Sequence, residues 1–197
     1  MINTELLLNR GAAYKRVKSG DIIFLEGTEA HFYFQLESGC IKWLNIDEDG
    51  GEFIHDIVTP GECFGEIPLF DKQPYAATAI AETDSVILRL HEPSFQELLK
   101  DHPDILLSFT RLIAQRLRYK FLVSKEVASH KPEQTISSLL RHFKKSNLHF
   151  CDDCSRLKLT RQQLAGMTGM RVETVIRTMR SMHEKGKLKI EKGRVYC

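Results

Sequence analysis

No stretch of this 197-residue chain is apolar for long enough to cross a bilayer, and its first ten residues carry Glu5 and no basic leader. These absences predict no membrane span and no secretory signal, with the cytoplasm as the expected compartment. Cysteine is sparse and odd in number: of five, Cys40, Cys63 and Cys197 stand singly, which argues against a secreted disulfide framework. No nucleophile–base constellation and no Walker-type loop is present, so nothing points to an enzyme. Glycine is missing from Asp101 to His130, and the one proline there, Pro103, stands early. That leaves room for an unusually long helix.

What is present is an ordinary globular balance, 42% hydrophobic and 27% charged, in a chain long enough for one or two domains. The net charge of +2 conceals a strong asymmetry. From Lys131 to Cys197 there are 15 Lys and Arg against 6 Asp and Glu, and before that 13 against 20. A basic final third behind an acidic front suggests a polyanionic partner for the tail; the competing reading is a merely solvated basic surface.

Eight of the twelve glycines precede residue 66 and separate short strand-like runs: Ile22–Leu25, His31–Leu36, Cys40–Ile46 and Phe53–Val58. Asp49-Gly50-Gly51 suits a hairpin turn, and Ser85–Leu90 is a further strand. This reads as an all-β barrel or roll. The period then changes. A short helix begins near Pro93, and Leu106, Ile113, Leu117, Phe121, Ser124 and Ala128 recur at helical spacing within Asp101–His130. A helix of roughly 25 residues is about 38 Å long. Its simplest use is to pack against its twin in a parallel dimer; the alternative is a helix folded onto its own β-domain. Lys131-Pro132 marks a boundary, Glu133–Lys145 reads as another helix, and Arg156–Leu159 reads as a strand.

From Thr160 the sequence has helix-turn-helix spacing. Thr160 is a good N-cap; with Arg161 as the first position, Ala165 is fifth, Gly169 ninth and Val175 fifteenth. A small residue lets the helices cross closely, and glycine supplies the left-handed turn. Leu164, Met170, Val175 and Met179 form the inner faces. Arg171, Val172, Glu173, Thr174, Arg177 and Arg180 lie along the second helix, with Thr160 and Arg161 at the start of the first. These eight are the candidate DNA-contacting residues. Arg177 can donate twice to a guanine edge, and Glu173 can accept from cytosine N4. Leu188–Tyr196 alternates around Lys192-Gly193, as a β-hairpin wing would.

Three motifs together resemble the Crp/Fnr superfamily of regulators: Gly20–Gly27, Pro60–Glu66 and the helix opening Asp104-Ile105-Leu106. The resemblance implies an α+β fold. It would comprise an N-terminal double-stranded β-roll (jelly roll) sensor over residues 1–104, a dimerisation helix over 105–130, and a C-terminal winged helix-turn-helix over 131–197. It implies a homodimer on double-stranded DNA, with RNA polymerase as a further partner if the protein activates transcription. Val172-Glu173-Thr174-Val175-Ile176-Arg177 is closer to the oxygen-regulator branch than to the cyclic-AMP branch, implying a TGA-like half-site in an inverted repeat. Ile176 stands where that branch has serine, and Arg171 where a Ser or Thr cap is usual.

The same resemblance puts the effector pocket at Gly65, Glu66, Tyr75 and Ala76, with Lys120 and Phe121 from the long helix. Tyr75 and Ala76 replace the arginine–serine pair that holds the cyclic phosphate, so cyclic AMP is not expected. The oxygen regulators' N-terminal cysteine cluster is absent, so no iron–sulfur cluster is expected either. Haem on His31, His55 or Cys63, a small apolar or aromatic ligand, or no effector all stay open. The pair Cys151 and Cys154, with His149 and then His142 or Cys197, could hold zinc, act in redox sensing, or be an inert loop. Two other function classes compete. One is a nucleotide-binding module without specific DNA function; the other is a thiol oxidoreductase, which lacks its βαβ context.

Overall fold

The computed structural model describes residues 2–151 and 153–197, in two compact units, Met1–Ala114 and Gln115–Cys197. The first unit begins with helix α1 (Thr4–Asn9), whose N-cap Asn3 side chain accepts from the Glu5 and Leu6 amides. Eight strands follow: β1 (Ala13–Val17), β2 (Ile22–Phe24), β3 (Phe32–Ser38), β4 (Ile41–Ile46), β5 (Glu52–Val58), β6 (Cys63–Phe64), β7 (Thr78–Ala81) and β8 (Ser85–His91). They form two four-stranded sheets, in the orders β1-β8-β3-β6 and β2-β7-β4-β5. Every pairing in them is antiparallel. Helix α2 (Ile67–Asp71) interrupts the run, and α3 (Glu92–Asp101) closes it.

Strand β3 explains why the two sheets and the helices cohere. Successive side chains point to opposite faces. Phe34 and Leu36 join an interior core with Phe24, Phe64, Tyr75 and Ile87. Tyr33 joins a second core of Leu7, Leu88, Leu90, Phe95, Leu98 and Phe109, built on α1, α3 and the helix that follows. Tyr33 stacks on Phe95 at 4.8 Å, with Phe109 edge-on to Phe95 at 5.5 Å. Gln35 is buried on that second face, and both ends of its amide are bonded: it accepts from the Tyr33 hydroxyl (2.8 Å) and donates to the Ile2 carbonyl (3.1 Å).

Helix α4 (Pro103–Ala128) runs from the first unit into the second. It begins two residues before the expected 105 and ends at Ala128, two before 130, and His130 is left-handed (φ 51°) ahead of Lys131-Pro132. The second unit holds α5 (Pro132–Lys145), α6 (Arg161–Thr168), α7 (Val172–Glu184), and the hairpin β9 (Lys189–Glu191) and β10 (Arg194–Tyr196). The strand expected over Arg156–Leu159 is not formed as such. Among the described residues two isolated bridges occur there, Phe150 to Leu157 and Arg156 to Tyr196. Among the described residues no helix is long and apolar enough to cross a membrane.

Gly39 tests the packing of the roll. It has φ +97°, and a Cβ there would lie 2.0 Å from the Ser85 hydroxyl and 2.7 Å from the Asp84 carbonyl. Gly39→Ala should lose at least about 2 kcal/mol in equilibrium unfolding. Gly50→Ala (φ +79°, open space) should lose only the backbone term, about 1 kcal/mol. Equal losses in chemical denaturation would show that the clash carries no cost.

Candidate nucleic-acid interface

The second unit is assembled from local signals. Thr160 caps α6 reciprocally: its hydroxyl accepts from the Gln163 amide (3.1 Å), and the Gln163 side chain accepts from the Thr160 amide (2.7 Å). At the other end Gly169 takes φ 65° and returns its N–H to the Ala165 carbonyl, so the chain turns at once into α7. Leu164, Ala165 and Met167 are buried on α6, and Val175, Met179 and Met182 on α7. Met170, expected inside, is only half-buried.

That packing leaves the other face of α7 to solvent. Arg171, Glu173, Ile176, Arg177 and Arg180 are exposed, while Val172 and Thr174 are half-buried. Glu173 and Arg177 are four residues apart, hence neighbours on one helical face about 5–6 Å apart. Arg171 is the N-cap of α7 but makes no side-chain cap bond, so its guanidinium is not spent on the helix end.

The wing closes through Lys192 and Gly193, both at positive φ (46° and 77°), the two-residue turn that matches strand twist. Its register is Arg194 with Glu191, Val195 with Ile190 and Tyr196 with Lys189. The wing is held to the preceding segment by Leu157 N–H to Val195 O (2.9 Å). Between them lies a groove of about 390 Å³ lined by Arg156, Lys158, Thr160, Arg161, Gly193 and Arg194. Burial pulls the Arg161 guanidinium below its ordinary range. Arg156, Lys158 and Arg194 were not among the expected contact residues; they meet only when the hairpin folds back, which no local spacing reveals. Among the described residues, Arg156, Arg161, Arg171, Arg177, Arg180 and Arg194 make no salt bridge. Unpaired guanidinium groups around a groove and along a helix suit phosphate and base edges.

Elsewhere the basic charge is spent internally. Glu133 at the start of α5 receives Lys185 (2.6 Å) and Lys187 (2.5 Å), tying α5 to the end of α7.

The residues expected to line an effector pocket divide. In the first unit Gly65 (φ +68°) sits beneath two rings: a Cβ there would meet Phe24 at 2.5 Å and Tyr75 at 3.1 Å. Tyr75 lies flat on Phe24, centroids 3.8 Å apart and planes within 7°. Burial, with the Glu92 carboxylate, pushes the Tyr75 hydroxyl well above the ordinary phenol range, so it stays neutral. Glu66 is fully buried and Ala76 exposed. Asn45 bridges to Glu26 (2.7 Å) and the Ala76 carbonyl (2.9 Å), and it also bonds His55. Lys120 and Phe121 belong to the second unit, where Phe121 is 68% exposed and Lys120 lies over the Tyr119 ring at 5.9 Å.

The metal and haem candidates do not converge. Among the described residues no group of three or more His, Cys, Asp and Glu could hold a metal ion. His149, buried, is edge-on to Phe143 (4.9 Å), and His142 stacks on Tyr119 (5.0 Å). Asp152, between Cys151 and Cys154, lies outside the described residues. Cys63 is fully buried and His31 exposed.

The family profile described as cyclic nucleotide-binding domain matches residues 14–102, and that of the Crp-like helix-turn-helix domain matches 133–196. The chain belongs to the Crp/Fnr superfamily of transcriptional regulators. This Crp/Fnr regulator is 28% identical over 164 residues to the cAMP-activated global transcriptional regulator CRP of Pasteurella multocida, covering 81% of this chain and 77% of that protein. Among solved structures, it is similar to a CRP/FNR-family transcriptional regulator from Thermus thermophilus (25% identity, 93% and 92% of the two chains, TM-score 0.69). It also resembles in fold a mutant of CooA from Carboxydothermus hydrogenoformans (17%, 99% and 86%, TM-score 0.81). The family is one of DNA-binding transcription factors with a helix-turn-helix, and this regulator shares that α+β architecture.

The Glu133 cluster gives a pH signature. Its carboxyl is held down from 4.5 to about 2, chiefly by the hydrogen bonds from Lys185 and Lys187. A depressed carboxyl contributes stability above its unfolded value and loses it as pH falls toward the folded one. Circular dichroism should therefore show the parent protein losing stability between pH 4.5 and about 2 more steeply than Glu133→Gln. Parallel acid curves would remove the cluster from the account.

Proposed function

We propose that the chain works as a homodimeric, sequence-specific regulator that reads an inverted TGA-like repeat, one α7 per half-site. The observation that carries this reading is the exposure of Glu173 and Arg177 on one side of a helix whose other side is buried. In this geometry the start of α7 enters the major groove. Arg177 reads guanine and Glu173 a cytosine amine, with Val172 and Thr174 against neighbouring base edges. Arg171, Arg180, Thr160 and Arg161 meet phosphates, joined by Arg156, Lys158 and Arg194 in the groove beside the wing.

The division of labour is a sensor over 1–104, a dimer helix over 105–130 and a DNA-binding domain over 131–197. The dimer reading is supported by α4, where Leu106 (43%), Leu107 (50%), Leu117 (53%) and Phe121 (68%) are exposed. Such residues at helical spacing want a second helix. A change in how two such helices pack alters the separation of the recognition helices, which is how an effector would act. RNA polymerase is the further partner if the outcome is activation, and the cytoplasm is the compartment.

Cyclic AMP is not that effector in this reading. The phosphate position has Tyr75 and Ala76, and the Tyr75–Phe24 stack fills the space above Gly65. A buried phosphate without an arginine is costly. Calorimetry with cyclic AMP should give no binding heat; saturable binding would return the chain to the nucleotide-responsive class.

Arg177→Ala should weaken binding to an inverted TGA/TCA operator by about 1–3 kcal/mol and relax preference at one base, while Lys158→Ala should weaken all sequences alike. Fluorescence anisotropy against scrambled DNA at several salt concentrations measures both. Equal affinity of the parent protein for operator and scrambled DNA would sink the sequence-specific reading. Leu117→Glu should yield a monomer in sedimentation; an unchanged dimer would move the interface off α4.

A further inference from the structure

The cysteines of the second unit remain outside this account. Cys151 is half-exposed and Cys154 exposed. They lie in a tight turn: Ser155 N–H bonds Cys151 O (3.0 Å), and Cys151 N–H bonds Arg156 O (2.8 Å). Ser155 itself stands at φ 52°, a conformation L residues avoid unless their surroundings impose it. The neighbouring Cys154 thiol, with the Asp153 and Cys154 amides, holds the Cys151 thiol below its ordinary range.

The other thiols are placed differently. Cys63 is fully buried. Burial and the Glu82 carboxylate push Cys40 up to about 12. Burial also raises Cys197. The thiol most readily ionised is therefore Cys151, three residues from the exposed Cys154. Among the described residues no group of His, Cys, Asp and Glu forms a metal set around the pair.

The turn is also a bracket for the wing. Cys197 N–H donates to Ser155 O (3.3 Å), Arg156 bridges to Tyr196, and Leu157 N–H donates to Val195 O (2.9 Å). The residues that follow, Arg156 and Lys158, line the basic groove.

We propose that Cys151 and Cys154 are a hydroperoxide-responsive dithiol whose oxidation to a disulfide loosens the wing and weakens DNA binding. The Cys151 thiolate attacks the peroxide, an S–O bond forms as O–O breaks, and the leaving hydroxide takes up a proton. The Cys154 sulfur then attacks Cys151, an S–S bond forms, and the S–O bond breaks. Hydroxide leaves and takes the Cys154 proton as water. The two sulfurs together give up two electrons, and the peroxide is reduced to water. Drawing the two sulfurs to bonding distance re-sets the turn that Ser155 N–H to Cys151 O and Cys151 N–H to Arg156 O close. Its bonds to β10 are the ones at risk.

The DNA consequence rests on the reading in the previous section, so the test has two arms. Full-length protein is treated with hydrogen peroxide and its peptides are weighed. The expected result is a loss of about 2 Da on the 151–154 peptide, reversed by dithiothreitol and absent in Cys154→Ser. With no DNA present, amide exchange over residues 189–197 should speed up at least about threefold in the oxidised form, as local opening becomes easier. No intramolecular disulfide, zinc co-purifying on the pair, or unchanged wing exchange overturns the proposal. In the second arm, operator Kd should rise about tenfold or more on oxidation and recover on reduction. A disulfide with unchanged operator Kd overturns the switch, whereas reduced protein that binds no operator overturns the DNA reading while the exchange arm still decides the turn.

Discussion

The first unit depends on one strand being buried on both faces. Because β3 sends Phe34 and Leu36 into the roll and Tyr33 and Gln35 toward the helices, a slip of one residue would exchange the two sets. Gln35 would then enter an aromatic interior, away from the Tyr33 hydroxyl and the Ile2 carbonyl that satisfy it. Register is thus imposed chemically by one buried amide as well as by hydrophobic pattern. The same strand fixes where α3 and the first turns of α4 dock, through the Tyr33–Phe95–Phe109 group. The start of the long helix gains a rigid seat this way.

What the sequence made legible was whatever is decided locally. The alternating runs of the roll, the hairpin at Asp49-Gly50-Gly51, the break at Pro132 and the Thr160–Gly169 frame all follow from short-range chemistry, and they stand close to where spacing put them. The elements that escaped are short. The two-residue β6 and the five-residue α2 carry too little pattern to read and exist because neighbours hold them. At Arg156–Leu159 the opposite happened: a good strand pattern found only two single bridges, since its partner segments are three residues long or less.

The candidate interface was half legible for the same reason. Residues on α7 share one helix, so their common face can be counted off. The groove at the wing joins Arg156 and Arg161 to Arg194, a meeting made by tertiary folding. Formal charge was an imperfect guide as well. The basic third of the chain includes Lys185 and Lys187, which Glu133 already holds, while the arginines at the groove and on α7 make no ion pair among the described residues. The field presented to a polyanion is therefore more sharply placed than composition suggests.

Gly65 has a consequence for how this roll could change its chemistry. Its backbone is left-handed and two aromatic rings lie on it, so that stretch accepts no side chain. Placing an arginine at position 75 would remove one ring and leave Phe24 with its flat face uncovered, next to a cation and no anion. The path from this interior to one that grips a charged ligand thus crosses intermediates worse packed than either end. Such a valley keeps a lineage where it is: ligand preference becomes hard to reverse by single steps, even while the outer scaffold stays the same.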